Sequence, residues 1–472
     1  MQVSHALLSI VAFLQPLQQE LLLFVAFWLA LGAADEFAVD LCWIGLKLTG
    51  RARTGRVTQA QATAPLAGRA AVLIAAWQEA DVIGHTIRHA LAAWPQQDFT
   101  LYLGCYGNDS ATVSAAMEAA CGDPRIRLVI GEQAGPTTKA DCLNRVYAAL
   151  CGDESRYGRR YRSVVLHDAE DMVHPAELAV IDAALNRADF VQLPVRPEIQ
   201  HDSPWSAGHY ADEFAEAHAK ALVVRDALGA AIPAAGVGCG FSRDMLARIA
   251  QRRGHGSGPF SAECLTEDYE LGLLVRREGG KARFLRLRDD HGALVATRAY
   301  FPARLVDSVR QKSRWIHGIA FQGWDRLGWS SDIVDQWMAL RDRRGPLTAV
   351  VLTCAYALVV LEALLWAARW TGIDVPAHDS PLLSILLTAC VVSFAWRCAF
   401  RVLFTTGEYG IVEGLGALPR IIVANAIAIL AGRRALVAYV RTLSGEAVHW
   451  EKTSHHDHPA MLMRASMQAA SL

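Results

Sequence analysis

VVLHDAEDMVH (residues 164–174) sets three carboxylates directly behind a short β-branched run. The run is typical of the end of a buried strand, and Asp168, Glu170 and Asp171 follow it. Carboxylates this close together repel one another unless positive charge lies between them. Asp168 and Glu170 are therefore a candidate pair of ligands for a divalent cation, which prefers oxygen. The alternative is a solvated loop in which Asp171 caps the next helix.

Further strand candidates lie on both sides of this stretch and alternate with helical segments. The apolar segments that predict strands are 70–77, 99–107, 126–132, 163–171 and 190–195. The first of them, AAVLIAAW, is a continuous apolar run, as expected for a strand that is buried on both faces. The alternation predicts an α/β domain with a mainly parallel sheet, and such sheets bind ligands at the carboxyl ends of their strands.

CLTEDYELGLLVRREGG (264–280) predicts a helix with acidic residues in its first turn. Thr266 can act as the N-cap, and Gly279 and Gly280 end the helix. In one interpretation the acidic residues are ordinary partners of the helix dipole. In the other, the helix N-terminus keeps Asp268 ionised, so that it can accept a hydroxyl proton as a general base.

SVRQKSRWIHGIAFQGW (308–324) predicts a helix that carries Gln311, Arg314 and Trp315 on one face. A guanidinium can hold two diphosphate oxygens, and an indole can stack on a sugar ring. The alternative is an amphipathic helix at a membrane surface, with its tryptophans as anchors. The two interpretations are compatible.

The composition of the 472-residue chain indicates a membrane protein. The hydrophobic content is 53%, and the mean hydropathy is positive, which is high for a purely soluble protein. A net charge of −1 provides no basic field for nucleic acid, so no nucleic-acid partner is expected. The ten cysteines show no framework spacing, which suits a reducing compartment.

Three stretches are apolar enough to span a membrane: 21–34, 347–370 and 382–404. The acidic segment 35–46 is typical of an interfacial helix. The apolar run 421–430 is too short to cross, so 411–443 is interpreted as helices lying at the membrane surface.

Positive charge predicts the orientation of these segments. Lysine and arginine residues follow the first span, precede the second and end the third, whereas the 371–381 connection has neither. By the positive-inside rule, residues 47–346 and the C-terminus of this multi-pass protein are cytoplasmic. The predicted segments are a transmembrane and interfacial helix (1–46), a linker (47–67), the cytoplasmic α/β domain (68–298), amphipathic interface helices (299–346), transmembrane and interfacial helices (347–443) and a cytoplasmic tail (444–472).

The order of the motifs resembles a known family. W-x-E (Trp77, Glu79), D-x-E, T-E-D and Q-x-x-R-W followed by membrane spans is the layout of membrane-bound family-2 inverting glycosyltransferases, the broad class of cellulose and hyaluronan synthases. Residues 212–244 and the tail WEKTSHHDHP (450–459) resemble the glycosyltransferase portion of the bacteriophage adsorption protein B family. The resemblance implies a GT-A fold, a UDP-sugar donor and Mg²⁺ or Mn²⁺ as cofactor.

The resemblance also implies roles for single residues. Asp168 and Glu170 would hold the metal, and Thr266, Glu267 and Asp268 would form the catalytic acceptor-side motif, with Asp268 as the base. Donor contacts are implied for Ala76, Trp77, Glu79, Asp109, Lys139, Asp168, Gln311, Arg314 and Trp315. Acceptor contacts are implied for Gly238, Cys239 and Trp315.

Some residues depart from the family pattern. Ala75 and Gln78 stand where the nucleotide motif has proline and asparagine, and Glu170 replaces the second aspartate of D-x-D. A glutamate still reaches a metal, so the metal prediction stands. The tail histidines 455, 456 and 458 could bind a metal, but a solvated tail is the favoured interpretation.

Together these expectations predict an inverting transferase that builds an exopolysaccharide from a UDP-sugar and exports it. UDP-N-acetylhexosamines are the favoured donors. One alternative is transfer of a single sugar to a lipid acceptor such as a polyprenyl phosphate. Another is a non-catalytic membrane scaffold or phage-receptor component. Three spans are few for a closed channel, so an oligomer or an outer-membrane porin partner is expected for export. Relatives of this type carry a cyclic-di-GMP-binding domain, and no segment of residues 1–472 resembles one. Control by cyclic-di-GMP is therefore expected to need a separate binding module.

Overall fold

The computed structural model describes residues 2–254, 256, 258–370, 380–446, 452 and 455–461. The strands are β1 (Gly55–Arg56), β2 (Ala70–Ala75), β3 (Phe99–Tyr106), β4 (Ile126–Gly131), β5 (Ser163–His167), β6 (Phe190–Gln192), β7 (Val195–Pro197), β8 (Cys239–Ser242), β9 (Ala282–Phe284), β10 (Leu287–Arg288) and β11 (Thr297–Ala299). Seven of them form one sheet in the order β4-β3-β2-β5-β8-β6-β9. Its pairs are parallel, except that β8 runs antiparallel to β5 and β6. The predicted α/β class with a mainly parallel sheet is confirmed.

The helices in the first half of the chain are α1 (Gln2–Leu48), α2 (Gln59–Ala62), α3 (Ile83–Ala93), α4 (Ser110–Ala120), α5 (Lys139–Tyr157), α6 (Glu177–Ala184), α7 (Gly208–Glu216) and α8 (Leu222–Ala227). Those in the second half are α9 (Arg243–Arg253), α10 (Glu267–Arg277), α11 (Leu305–Ile316), α12 (Gly323–Leu327), α13 (Ile333–Arg343), α14 (Gly345–Trp370), α15 (Pro381–Tyr409) and α16 (Ile411–Leu443). Two π-helical turns, Ala217–Ala221 and His317–Gln322, join α7 to α8 and α11 to α12.

The central sheet is covered by apolar packing on both faces. Along β2, Val72 and Ile74 belong to one core cluster, whereas Ala71 and Leu73 belong to the other. This explains why the strand is continuously apolar rather than alternating. Strands β2, β3 and β5 are parallel neighbours, so their carboxyl ends meet at one edge of the sheet. The D-x-E motif follows β5 at that edge.

The first membrane segment is one continuous helix, so the prediction of a span (21–34) followed by a separate interfacial helix (35–46) is wrong. Neither proline nor glycine interrupts the chain between Ala33 and Trp43. The acidic side chains that suggested an interface are instead paired with other elements: Asp35 with Arg341, and Asp40 with Lys220. These ion pairs allow α1 to continue to Leu48.

Among the described residues, four helices are long and apolar enough to cross a membrane by length and composition: Leu14–Leu48 within α1, and α14, α15 and α16. Helix α16 nevertheless contacts the α/β domain at two distant points. Arg420 pairs with Asp212 on α7, and Tyr439 stacks on Phe321 of the second π-helical turn. A helix with these contacts lies across the surface of the domain, and the predicted position of 411–443 at the membrane surface stays a prediction, since the length and composition of α16 also suit a span.

The predicted linker 47–67 is not a free connection. Strand β1 pairs with β10 in a small parallel sheet, and Val57 and Ala62 belong to the core of the domain. The chain that joins α1 to the sheet is therefore held against the domain.

Candidate active site

The D-x-E turn is shaped by the carboxylate of Asp171. Its Oδ2 accepts the Asp168 backbone N–H at 2.9 Å and contacts Nδ1 of His167 at 2.8 Å. Asp171 is buried at 2% exposure, so it is a structural group of the turn. Both of its contacts turn the chain back at the end of β5 and leave Asp168 and Glu170 on the cavity lining.

A buried histidine supports this turn from below. His167 lies between Asp171 and Glu177, and its Nε2 is 2.5 Å from Glu177 Oε1. Burial alone would lower its pKa, but Glu177 and Asp171 raise the pKa of His167 to about 10. The ring is therefore an imidazolium that donates to both carboxylates, a strong charge-assisted arrangement.

Positive side chains from distant parts of the chain lie against the carboxylates of the turn. Lys139, the first residue of α5, forms an ion pair with Asp168. His455 Nε2 lies 3.2 Å from Glu170 Oε1, and its Nδ1 lies 3.2 Å from Glu79 Oε1. Lys452 Nζ lies 3.0 Å from the same Glu79 oxygen. These cations offset the repulsion that the sequence predicts for this turn.

The same residues fit a divalent cation. Glu79, Glu170 and His455 each offer one ligand atom, and these atoms lie within 4.8 Å of one another. Two carboxylates and one imidazole form a ligand set that suits Mn²⁺ or Mg²⁺, the imidazole favouring Mn²⁺. Asp168 lines the same cavity beside Glu170.

Asp109 shapes the wall of the cavity instead of lining it. Its Oδ2 accepts the Gln78 backbone N–H at 2.6 Å, and its Oδ1 accepts that of Thr112 at 3.3 Å. Gln78 has φ of +54°, a left-handed conformation that costs energy for a side chain with a Cβ. The Asp109 carboxylate therefore holds this strained backbone, and its predicted direct contact with the donor stays a prediction.

The T-E-D motif is held by the π-helical turn that follows the Q-x-x-R-W helix. Gln322 accepts the Leu265 backbone N–H at 2.9 Å and donates to the Glu263 carbonyl at 3.0 Å. Thr266 immediately precedes α10, as predicted, but its side chain makes no capping hydrogen bond. The clamp by Gln322, rather than an N-cap, fixes the approach to α10.

Asp268 lies in a buried, charged environment. Burial and the Asp168 carboxylate raise its pKa, whereas Lys139 and Arg314 act to lower it. Burial and Asp268 also raise the pKa of Glu267 to about 8. Burial therefore opposes the predicted ionising effect of the helix N-terminus, and Asp268 becomes a stronger base than an exposed aspartate.

Gln311, Arg314 and Trp315 all line the cavity, so the predicted shared face of α11 is present. Oε1 of Gln311 is buried and accepts no hydrogen bond from any described residue. A buried acceptor without a donor is costly unless a ligand supplies one. The edge of the Trp315 ring packs against Tyr210, with ring centroids 6.1 Å apart.

One cavity of about 470 Å³ brings the motifs together. The predicted residues that line it are Ala76, Trp77, Glu79, Lys139, Asp168, Glu170, Thr266, Glu267, Asp268, Gln311, Arg314 and Trp315. Among the predicted donor contacts, only Asp109 is absent from this lining.

Gly238 and Cys239, the predicted acceptor contacts, are not among the residues that line the cavity, and their contact with an acceptor stays a prediction. Cys239 is fully buried in β8, the antiparallel strand that the sequence did not reveal. Gly236 is the glycine at the site. It has φ of +77°, and a Cβ there would collide with the Asp268 carboxylate.

The tail contributes to the site, so the prediction of a solvated tail is wrong. Lys452 and His455 line the cavity, and His458 is fully buried with Nε2 3.2 Å from the Asp171 carbonyl. Trp450 and Thr453 of the same motif lie outside the described residues. The only signal in the sequence was the resemblance of this tail to a family, because scattered polar residues have no helix or strand period.

Comparisons with known proteins agree with this geometry. The model of a family described as glycosyltransferase-like family 2 matches residues 67–318, more than half of the chain. This chain belongs to glycosyltransferase family 2. The matched region of this family-2 enzyme contains the D-x-E, T-E-D and Q-x-x-R-W motifs, whereas Lys452 and His455 lie beyond it.

Two relatives of this family-2 glycosyltransferase extend the likeness into the membrane helices. Bacteriophage adsorption protein B of Escherichia coli K12 is 31% identical over 455 residues, which cover 90% of this chain and 60% of that protein. Bacteriophage N4 adsorption protein B of Escherichia coli O157:H7 matches to the same extent. The chain thus spans about 60% of the length of the curated relatives it matches.

A solved structure supports the GT-A fold of this family-2 glycosyltransferase. The mannosyltransferase PcManGT from Pyrobaculum calidifontis, solved in complex with GDP-Man and Mn²⁺, superposes with a TM-score of 0.50 at 16% sequence identity. The match covers 85% of this chain and 99% of that one.

Proposed function

We propose that this glycosyltransferase transfers a sugar, with inversion, from a UDP-sugar to a growing glycan at the bacterial inner membrane. The observation that carries the proposal is the single cavity lined by D-x-E, T-E-D and Q-x-x-R-W residues. UDP-N-acetylhexosamine is the favoured donor. The proposal places the α/β domain in the cytoplasm, where nucleotide sugars are made, and α1, α14 and α15 across the membrane.

The donor diphosphate is proposed to lie between the D-x-E turn and α11. Asp168, Glu170, Glu79 and His455 would hold Mg²⁺ or Mn²⁺, and this use of a metal is supported by the Mn²⁺ in the similar mannosyltransferase. When bound, the cation neutralises the clustered carboxylates and the charge of the departing UDP. Lys139 and Arg314 add fixed positive charge at the same place, where it stabilises the leaving diphosphate.

Asp268 is proposed to remove the proton from the acceptor hydroxyl. The hydroxyl oxygen then attacks the anomeric carbon from the face opposite UDP, so the configuration inverts and no covalent intermediate with the enzyme is needed. Gln311 offers an unsatisfied acceptor to a sugar hydroxyl, and Trp315 offers an aromatic surface to a sugar ring.

The first test is release of UDP by inner-membrane vesicles that contain the protein. A panel of UDP-sugars, together with GDP-mannose, is supplied with Mg²⁺ or Mn²⁺, and vesicles with Asp268→Asn are assayed in parallel. Release that needs one UDP-sugar, the metal and Asp268 supports the proposal. Turnover of GDP-mannose alone would contradict the donor assignment.

If no donor gives release of UDP, and if added cell lysate does not restore it, the result would favour a non-catalytic scaffold or phage-receptor component. Sizing of the labelled product separates polymerisation from transfer of one sugar to a polyprenyl phosphate. Export through an outer-membrane porin and control by a separate cyclic-di-GMP-binding protein are further parts of the proposal. Export of glycan by the purified chain alone in vesicles would contradict the need for such partners.

A further inference from the structure

A second groove lies beside the active-site cavity, between α11 and α16. It has a volume of about 630 Å³, and Leu265 and Arg314 line both spaces. The groove is therefore continuous with the site, although none of the family motifs except the arginine of Q-x-x-R-W reaches it.

The walls of this groove are apolar and exposed. Leu305 and Val306 of α11 line one side, and Leu430 and Val437 of α16 line the other. All four side chains are exposed. Exposed apolar side chains facing each other across a groove indicate a site for an apolar ligand or chain.

The polar lining is strongly cationic. Five arginines line the groove: Arg310, Arg314, Arg433, Arg434 and Arg441. Among its lining residues in the described part of the chain, Glu446 is the only carboxylate. His317 also lines it; this residue is 4% exposed, and its Nε2 has no hydrogen-bond partner among the described residues. The buried Nε2 of His317 without a hydrogen-bond partner in the described ranges, together with the guanidinium groups of the groove, indicates an anionic ligand with oxygen atoms.

Helix α16 places the groove at the level where the membrane helices begin. Gly432 packs on Ala349, in the second turn of α14, and residues 433–441 then continue along α11. A ligand in the groove can therefore keep an apolar part beside α14 while its charged part meets the arginines.

We propose that this groove binds the phosphate head group of an anionic phospholipid, with the acyl chains along Leu305, Val306, Leu430 and Val437. The proposal rests on the membrane position in the proposed function, but not on sugar transfer. Because Arg314 lines both spaces, an occupied groove holds this guanidinium beside the donor cavity.

The test measures lipid binding without any sugar donor. The detergent-purified full-length chain is titrated with phosphatidylglycerol and followed by native mass spectrometry. Arg433→Gln and Arg441→Gln each remove one exposed guanidinium from the groove, and each is expected to weaken binding by about fivefold, since one arginine near a lipid phosphate contributes roughly 1 kcal/mol. The matched control is Arg51→Gln, an exposed arginine outside the groove.

Three results would overturn the proposal. Equal weakening by Arg51→Gln would mean general attraction between charges, and binding of oleate as tightly as phosphatidylglycerol would mean that phosphate is not recognised. No saturable binding by the wild-type chain would mean that there is no site. Melting temperatures of the variants control for misfolding. An inactive transferase that still binds the lipid would separate this proposal from the proposed function.

Discussion

The carboxylates of the D-x-E turn are balanced by cations that lie far away in the sequence. Glu79 and His455 are 376 residues apart, yet their side chains meet. Burial lowers the pKa of His455, but Glu170 and Glu79 raise it to about 9, so without a metal the ring carries a positive charge. The positive charge of this ring offsets the negative charge of the turn.

The proposed base gives a prediction about activity and pH. Asp268→Asn is expected to lower kcat by about 10²- to 10⁴-fold with donor binding retained. In the wild-type enzyme, activity falls as the pH drops through the raised pKa of Asp268, because protonation removes the base. The acid limb of the kcat profile should therefore lie above the usual pKa of 3.8 for an aspartate.

The control for this pH profile is Asp81→Asn, which changes an exposed aspartate whose ion-pair partner among the described residues is His456. It is expected to keep both kcat and the acid limb. An Asp268→Asn enzyme with normal kcat would remove Asp268 from the mechanism.

The tail histidine gives a prediction about metal affinity. His455→Ala removes one of three ligand atoms and is expected to weaken Mn²⁺ binding by roughly tenfold or more. Electron paramagnetic resonance of free Mn²⁺ measures this without turnover. His456→Ala is the matched control, because this neighbouring side chain is 74% exposed and pairs with Asp81. Equal Mn²⁺ affinity of both variants would contradict a ligand role for His455.

At the scale of elements, the second π-helical turn joins two motifs. It directly continues α11, which carries Q-x-x-R-W, and its Gln322 holds the backbone that leads into T-E-D. π-Helical turns are uncommon and occur often at functional sites. Gln322 thereby links the end of α11 to the start of α10, where Asp268 lies.

Gln322→Ala is expected to leave the Leu265 N–H and the Glu263 carbonyl without their partner. The free energy of unfolding should fall by about 1 to 3 kcal/mol, and kcat should fall as well. Gln336→Ala is the control, since Gln336 also donates to a backbone carbonyl, that of Ser330, but outside the motifs. The same loss of kcat in both variants would show that only general stability matters.

The first π-helical turn gives a prediction about stability and pH. Burial lowers the pKa of His218 to about 4, so the folded protein keeps a neutral ring while the unfolded chain takes up a proton near pH 6.5. The resulting stability is full above about pH 6.5 and is lost as the pH falls toward 4. The loss for this residue is at most about 3 kcal/mol.

Denaturation of wild type and His218→Gln between pH 7 and 4 measures this contribution. The wild-type protein should lose more stability than the variant over this range. His291→Gln changes an exposed histidine and should follow the wild type. Parallel curves for wild type and His218→Gln would contradict the prediction.

At the scale of the whole molecule, a buried charge cluster joins the first membrane helix to the α/β domain. Lys220 of the first π-helical turn is 1% exposed and donates to Asp40 of α1 at 2.5 Å and to Glu216 at 2.8 Å. Trp396 of α15 donates to the other oxygen of Asp40 at 2.8 Å. Three parts of the chain thus meet at one carboxylate.

Lys220→Met is expected to cost about 3 to 5 kcal/mol, because it leaves the buried carboxylate of Asp40 without its cation, whereas Glu216 keeps Arg397 and Arg401. Thermal unfolding in detergent, together with protease cleavage between α1 and the domain, measures the effect. Lys281→Met is the control, since this lysine is exposed. A melting temperature unchanged by Lys220→Met would mean that the cluster does not hold the two parts together.

The sequence predicted the parts of this site that local pattern encodes. The strand before Asp168, the acidic turn around Asp268 and the face of Gln311 and Arg314 each follow a strand or helix period, and the cavity brings them together as expected. The antiparallel strand β8 was missed because its four residues are too short for a period. The tail and Gln322 were missed because their contacts depend on tertiary packing alone.

The return of the tail to the sheet has a consequence for biogenesis. Glu79 emerges from the ribosome long before His455, and all of α14, α15 and α16 is translated between them. A nascent chain can form the sheet and insert its helices while this cavity still lacks the wall formed by Lys452 and His455. Lys452 and His455 therefore complete the cavity only after all of these helices have been translated.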